Sequence, residues 1–248
     1  MIKIKDLSLK LNNKEVLNKI NIHIEKNKVT AILGKNASSK TSLIKCINGT
    51  YRYSGTILLE ERNILDISLK DLSKKISYLP QILKYPHILV LDILKMGRNP
   101  YLGINNKLTA TDLKIINQTI DQFNLNALLD KYLDELSGGQ RQLVYLAMQI
   151  IQDAKVMIFD EPSSFMDVNY EASFLKMIKE LNQQKNKTIV VVMHNINQII
   201  KYADNVIVLD EGKVVFNGTT NKCIDQQVIE KVFNLRKYQI ADMIIYEN

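Results

Sequence analysis

Eight consecutive residues, Gly34-Lys35-Asn36-Ala37-Ser38-Ser39-Lys40-Thr41, have the makings of a phosphate cradle. They follow the continuous apolar run Val29 to Leu33 and open a helical pattern that runs from about Lys40 to Asn48. In that setting the N–H groups of the loop and of the helix start converge on one spot, and the helix dipole favours an anion there. Lys40 would reach the terminal phosphates of a nucleotide, and the Thr41 hydroxyl would ligate Mg²⁺. The pattern G-x-x-x-x-G-K-[ST] asks for glycine where Ser39 stands. If the backbone there, or at Ala37, must turn left-handed, the side chain costs ~1–2 kcal/mol. The same residues also read as a serine-rich strand-to-helix turn with an N-cap and no ligand.

Three further groups of residues have chemical potential. Val156 to Phe159 is an apolar strand that ends in two carboxylates, Asp160 and Glu161, and Pro162 stops it. Asp160 can hold Mg²⁺ through water, and Glu161 can polarise an attacking water. A plain acidic turn is the competing reading. Leu136-Ser137-Gly138-Gly139-Gln140 contains a capping box, Ser137-x-x-Gln140, ahead of a helix with Leu143, Ala147 and Ile150 on one face. Two glycines in a first helical turn cost about 1 kcal/mol each relative to alanine. A cap gives no reason for that cost, whereas close approach of another group does. Ser137, Gly138, Gly139 and Gln140 thus read as a second phosphate site. Gln81 and His194 each follow an apolar strand, at the carboxyl ends where ligands gather in open α/β sheets.

The elements that must position these residues follow from the apolar pattern. Ile2 to Leu9 and Val16 to Ile24 alternate with a period of two, as half-buried strands do. Gly55 to Leu59, Ile76 to Leu79, Val156 to Phe159, Thr188 to Met193 and Val206 to Leu209 are further strands, several apolar on both faces. Alternation of such strands with helices predicts a mostly parallel sheet covered on both sides. Residues 83 to 154 are mostly helical and read as an insertion between two halves of that sheet, with a capping box at Thr109 and Asp112. The chain divides as one domain: a core over 1–82 and 155–218, a helical subdomain over 83–154, and a helical and extended tail over 219–248.

Composition narrows the function classes. The 248 residues are 46% hydrophobic and 24% charged, which excludes a disordered chain. Two cysteines far apart exclude a disulfide scaffold and fit a reducing compartment. No apolar run is long enough to span a bilayer, and the first residues do not form a signal peptide. The net charge of +7 is scattered, with no basic block, so no nucleic-acid partner is expected.

Taken in order, these segments resemble the ATP-binding subunit of ABC transporters, from about Lys3 to Phe233. The resemblance places the phosphate loop on Gly34 to Ser42, the Q-loop on Gln81, the signature on Leu136 to Gln140, the D-loop on Ser164 to Asp167 and the switch histidine on His194. Gly97-Arg98-Asn99-Pro100-Tyr101-Leu102-Gly103, Met193-His194-Asn195-Ile196-Asn197 and Tyr202-Ala203-Asp204 through Gly212 are similar to the importers of iron–siderophore, haem and cobalamin type. Ala37, Ser39 and Leu11 depart from the family, Leu11 standing where relatives stack an aromatic ring on adenine.

The resemblance implies an α/β fold: an ABC-type nucleotide-binding domain with a small antiparallel β subdomain and an inserted helical subdomain. It implies ATP and Mg²⁺ as ligands, Mg²⁺ being held by Thr41, Gln81 and Asp160. Glu161 would be the general base, with His194 and Gln81 beside it. Two copies would sandwich ATP head to tail, each giving Ser137 and its glycines to the other's phosphate loop. Integral membrane permease subunits would dock on the helical insertion at the cytoplasmic face of the membrane, and a substrate-binding protein would act upstream. The cargo would be an iron–siderophore or a related metal chelate. The alternative is a nucleotide-gated binding module that hydrolyses weakly because of Ala37 and Ser39.

Overall fold

The computed structural model describes residues 1–162, 168–240 and 243–247. Two long strands come first, β1 (Ile2–Leu11) and β2 (Lys14–Ile24), antiparallel with Ile2 opposite Ile24. Asn12 and Asn13 make the turn with φ of 49° and 61°, a left-handed pair that asparagine tolerates. The chain then enters a second layer through β3 (Val29–Leu33) and α1 (Lys40–Ile47). It returns in β4 (Ser54–Leu59) and β5 (Arg62–Asn63), completing an antiparallel sheet of order β2-β1-β4-β5. Helix α2 (Leu69–Lys75), capped by the Ser68 hydroxyl, leads into β6 (Ile76–Leu79).

Helices α3 (Val90–Met96), α4 (Ala110–Gln122) and α5 (Gly138–Gln152) separate β6 from β7 (Val156–Asp160). Next come α6 (Val168–Lys185), β8 (Thr188–Val192), the single turn α7 (Ile196–Ile199), β9 (Asn205–Asp210) and β10 (Lys213–Thr219). The larger sheet has the order β10-β9-β3-β8-β7-β6, parallel from β9 to β6, with β10 antiparallel at its edge. The chain closes with α8 (Thr220–Asp225), α9 (Val228–Phe233) and a hairpin of β11 (Arg236–Ile240) and β12 (Met243–Glu247).

The strands apolar on both faces divide their side chains between two cores. Ile32, Val156, Ile158, Val190, Val192, Ile207 and Leu209 join β1, β2, β4 and α1 in one cluster. Their sequence neighbours Val29, Ala31, Met157, Phe159, Ile189, Val191, Val206 and Val208 face the other way, against α6 and the C-terminal segments. The period of two within a continuous apolar run is therefore real, and a layer on each face hides it.

A third cluster lies within the inserted helices, from Val90 to Ile151. Helix α5 serves two clusters: Val144, Ala147 and Ile151 face this one, while Leu146 and Ile150 face the sheet. This corrects the single face of Leu143, Ala147 and Ile150. A helix wedged between two layers needs apolar residues around more than one stripe. The insertion also buries an ion pair, Arg98 Nε to Asp112 Oδ1 at 2.7 Å, and the same guanidinium donates to the Ile151 carbonyl at 3.0 Å.

Candidate functional site

A cleft of about 590 Å³ opens at the carboxyl ends of the parallel strands, lined by residues Asn36 to Ser42 with Val16, Gln81, Glu161 and His194. Its floor is the loop after β3. Gly34 starts that loop at φ 157°, and a Cβ there would lie 2.3 Å from Ser38 Oγ and 2.4 Å from the Leu209 carbonyl, so only glycine fits. Ala37 and Ser39 are both left-handed, φ 63° and 74°. The two positions that the resemblance marks as departures thus carry the strain anticipated for them, ~1–2 kcal/mol each.

Ser39 occupies the N-cap position of α1, yet its side chain caps nothing, and the first turn contains no acidic residue. The reading of this loop as a serine-capped turn is therefore corrected, because a left-handed N-cap residue directs its side chain away from the helix N–H groups. The first residues of α1 line the cleft, and their N–H groups lack a cap from Ser39, so an anion bound there would satisfy them. Lys40, only 6% exposed, lies folded over the loop. Its ammonium donates to the carbonyls of Gly34 at 2.8 Å and Lys35 at 2.9 Å. Desolvation lowers its pKa, while the charges of Glu161 and Asp160 act in the opposite sense.

Asp160 ends β7 and is fully buried. Burial pushes its carboxyl pKa up, and the neighbouring Glu161 adds to this. Two hydroxyls oppose the shift: Thr41 Oγ1 donates to Oδ1 and Tyr78 Oη donates to Oδ2, both at 3.2 Å. A buried carboxylate beside a threonine hydroxyl, both hard oxygen donors, fits a magnesium ion.

Glu161 is 8% exposed and has a left-handed backbone, φ 50°, held by its N–H donating to the Val192 carbonyl at 3.0 Å. Gln81 Nε2 donates to its Oε2, and His194 Nε2 lies 2.7 Å from its Oε1. The carboxylate is thus gripped on both oxygens by residues from the ends of β6 and β8. The His194 side chain is 56% exposed at the cleft mouth.

Ser137, Gly138, Gly139 and Gln140 are not among the residues lining this cleft. The capping box is formed: Gln140 N–H donates to Ser137 Oγ at 3.3 Å, and Ser137 N–H to Gln140 Oε1 at 3.0 Å. Neither glycine has a positive φ, and a Cβ at Gly139 would meet nothing within 4 Å. Within this chain, then, neither backbone conformation nor crowding requires glycine at Gly139. The D-loop, Ser164 to Asp167, lies outside the described residues.

Two residues at the site escaped the sequence reading. Val16 supplies an apolar wall, and Leu11 is not among the lining residues but packs against the core of the antiparallel layer. Gly212 lets the β9–β10 turn approach this strand, since a Cβ there would lie 2.3 Å from the Val16 carbonyl. Tyr78 is the other, and its only sequence signal is a polar tip in a strand that ends beside the acidic one.

Known proteins resemble this chain in sequence and fold. The family described as ABC transporter matches residues 17–164. The petrobactin import ATP-binding protein YclP of Bacillus subtilis is 32% identical over 95% of this chain and 93% of its own length. An inward-facing ABC transporter assigned to the metal-chelate type superposes with a TM-score of 0.81, at 25% identity, over 99% of this chain and 95% of that one. A bacterial ABC transporter cassette solved as a dimer has the same fold, with a TM-score of 0.77 at 22% identity over 89% of this chain and 99% of that one. The chain belongs to the ABC transporter family as one of its ATP-binding subunits, an ATPase coupled to transport.

Proposed function

We propose that two copies of this chain close head to tail on two ATP molecules and hydrolyse them to drive uptake of an iron–siderophore or a related metal chelate. The observation that carries the reading is the grip of Gln81 and His194 on Glu161 at the mouth of a cleft floored by the phosphate loop. In this reading the loop N–H groups and Lys40 bind the phosphates, Lys40 exchanging its carbonyl partners for them. Glu161, held in one orientation, takes a proton from the attacking water, and His194 orients that water and the γ-phosphate. Thr41, Asp160 and Gln81 would hold Mg²⁺, which when bound neutralises developing phosphate charge.

The open space before Gly139 supports the two-copy arrangement, because a partner's phosphates can approach that helix start closely. The resemblance of the Gly97 to Gly103 segment, and the metal-chelate type of one structural relative, support the cargo class. Permease subunits on the membrane, a substrate-binding protein upstream of them and a peripheral place at the cytoplasmic face complete the proposal. Among the described residues no helix is long and apolar enough to cross a membrane. The division into a core, a helical subdomain over 83–154 and a tail from 219 belongs to the same proposal.

Turnover by the purified chain tests it. The rate per molecule should rise with protein concentration, and Glu161→Gln and His194→Ala should each abolish turnover while ATP still binds. The left-handed Ala37 and Ser39 favour one alternative, a binding module that closes on ATP but turns it over weakly. ATP binding with background hydrolysis in both the wild type and Glu161→Gln would select that alternative.

A further inference from the structure

His194 is followed at once by α7, a helix of four residues. One helical turn has almost no stability of its own, so tertiary contacts must hold it in place. The fully buried Ile199 packs it onto the core of the large sheet, and two polar side chains add directed hydrogen bonds that fix its orientation. Asn195 accepts from Gln198 N–H at 3.2 Å and donates to Glu171 Oε2 on α6, also at 3.2 Å. Asn197 reaches the other way, to the last strand. Its Nδ2 donates to the Tyr246 carbonyl at 2.9 Å, and its Oδ1 accepts from Tyr246 N–H at 2.7 Å.

The second contact satisfies both backbone groups of one residue of β12 with a single amide, as a neighbouring strand would. Tyr246 itself is 4% exposed and belongs to the core on that side of the large sheet. The hairpin β11–β12 pairs only with itself among the described residues, and a lone hairpin is marginal in water. Its docking and the position of α7 are therefore linked through Asn197. The backbone leaving β8 carries His194 between a fixed strand and this clamped turn, where its Nε2 lies 2.7 Å from Glu161 Oε1.

We propose that Asn197 is a positioning residue for His194: by locking α7 to β12 it sets the His194–Glu161 contact, so that docking of β12 tunes the rate of hydrolysis. This rests on the reading above, in which His194 and Glu161 act in turnover.

The test uses the full chain with Asn197→Ala and Asn197→Asp, the latter keeping the acceptor for Tyr246 N–H but losing the donor. Turnover number, ATP dissociation constant and thermal unfolding midpoint are measured for each. Asn197→Ala should lower the turnover number about tenfold and leave the ATP dissociation constant within about twofold, with Asn197→Asp intermediate. A folded Asn197→Ala with unchanged turnover overturns the inference, as does an equal loss of turnover and ATP affinity, which marks a merely structural role. If Asn197→Ala does not fold, the same comparison is decided on Asn197→Asp. A wild-type chain without turnover overturns the functional reading itself, and is thereby told apart from failure of the Asn197 clamp.

Discussion

Tyr78 and Asp160 stand on adjacent parallel strands, and the Tyr78 hydroxyl donates across 3.2 Å to the Oδ2 of the fully buried Asp160. Thr41 holds the other carboxylate oxygen. Each oxygen of a charge that burial disfavours therefore has one donor. Removing the phenol leaves Oδ2 unsatisfied, at ~1–3 kcal/mol. Tyr78→Phe should lose stability in that range and need several-fold more Mg²⁺ for half-maximal turnover, with Mg²⁺-free ATP binding unchanged. A Mg²⁺ titration of turnover and nucleotide binding checks this, and an unmoved midpoint would assign Tyr78 to packing alone.

Ser39 has a left-handed backbone with no cap bond to offset it. Ser39→Gly should stabilise the chain by about 1 kcal/mol, since glycine adopts that conformation without the Cβ clash. The relief comes in the loop proposed to bind phosphate, so ATP should bind at least as tightly. Denaturant midpoints and a nucleotide titration measure both, and weaker ATP binding by the glycine variant would show that the serine hydroxyl touches the ligand.

Arg98 and Asp112 are 7% and 5% exposed at the side chain, so removing Arg98 leaves Asp112 a buried charge that keeps its hydrogen bonds from Thr109 but has lost its counter-ion. Arg98→Ala should cost ~3–5 kcal/mol. His87 and Asp134 are 67% and 42% exposed, and Asp134→Asn should cost no more than ~1 kcal/mol. Urea unfolding of the two variants compares them directly, and equal losses would contradict the burial argument.

Much of the fold was legible because its signals are local. The run Val29 to Leu33, the loop after it and the capping box at Ser137 each lie within about a dozen residues, where backbone geometry and side-chain type constrain one another. The same holds for Asp160 and Glu161 at a strand end. The stripe assigned to α5 was misread for a physical reason: its burial is set by two separate layers, and a helix cannot announce from its own residues how many neighbours it will have.

Residue order by itself determined the α/β class and the family and marked out the candidate phosphate loop, because spacing along one strand–loop–helix unit dictates where N–H groups and carboxylates point. Tertiary structure decided which distant residues share the cleft. It set Gln81 and His194 on opposite oxygens of Glu161, brought Val16 in place of Leu11, and kept Ser137 to Gln140 out of their own chain's cleft. Those outcomes depend on strand order and layer packing, in which many weak contacts between residues far apart in sequence act together.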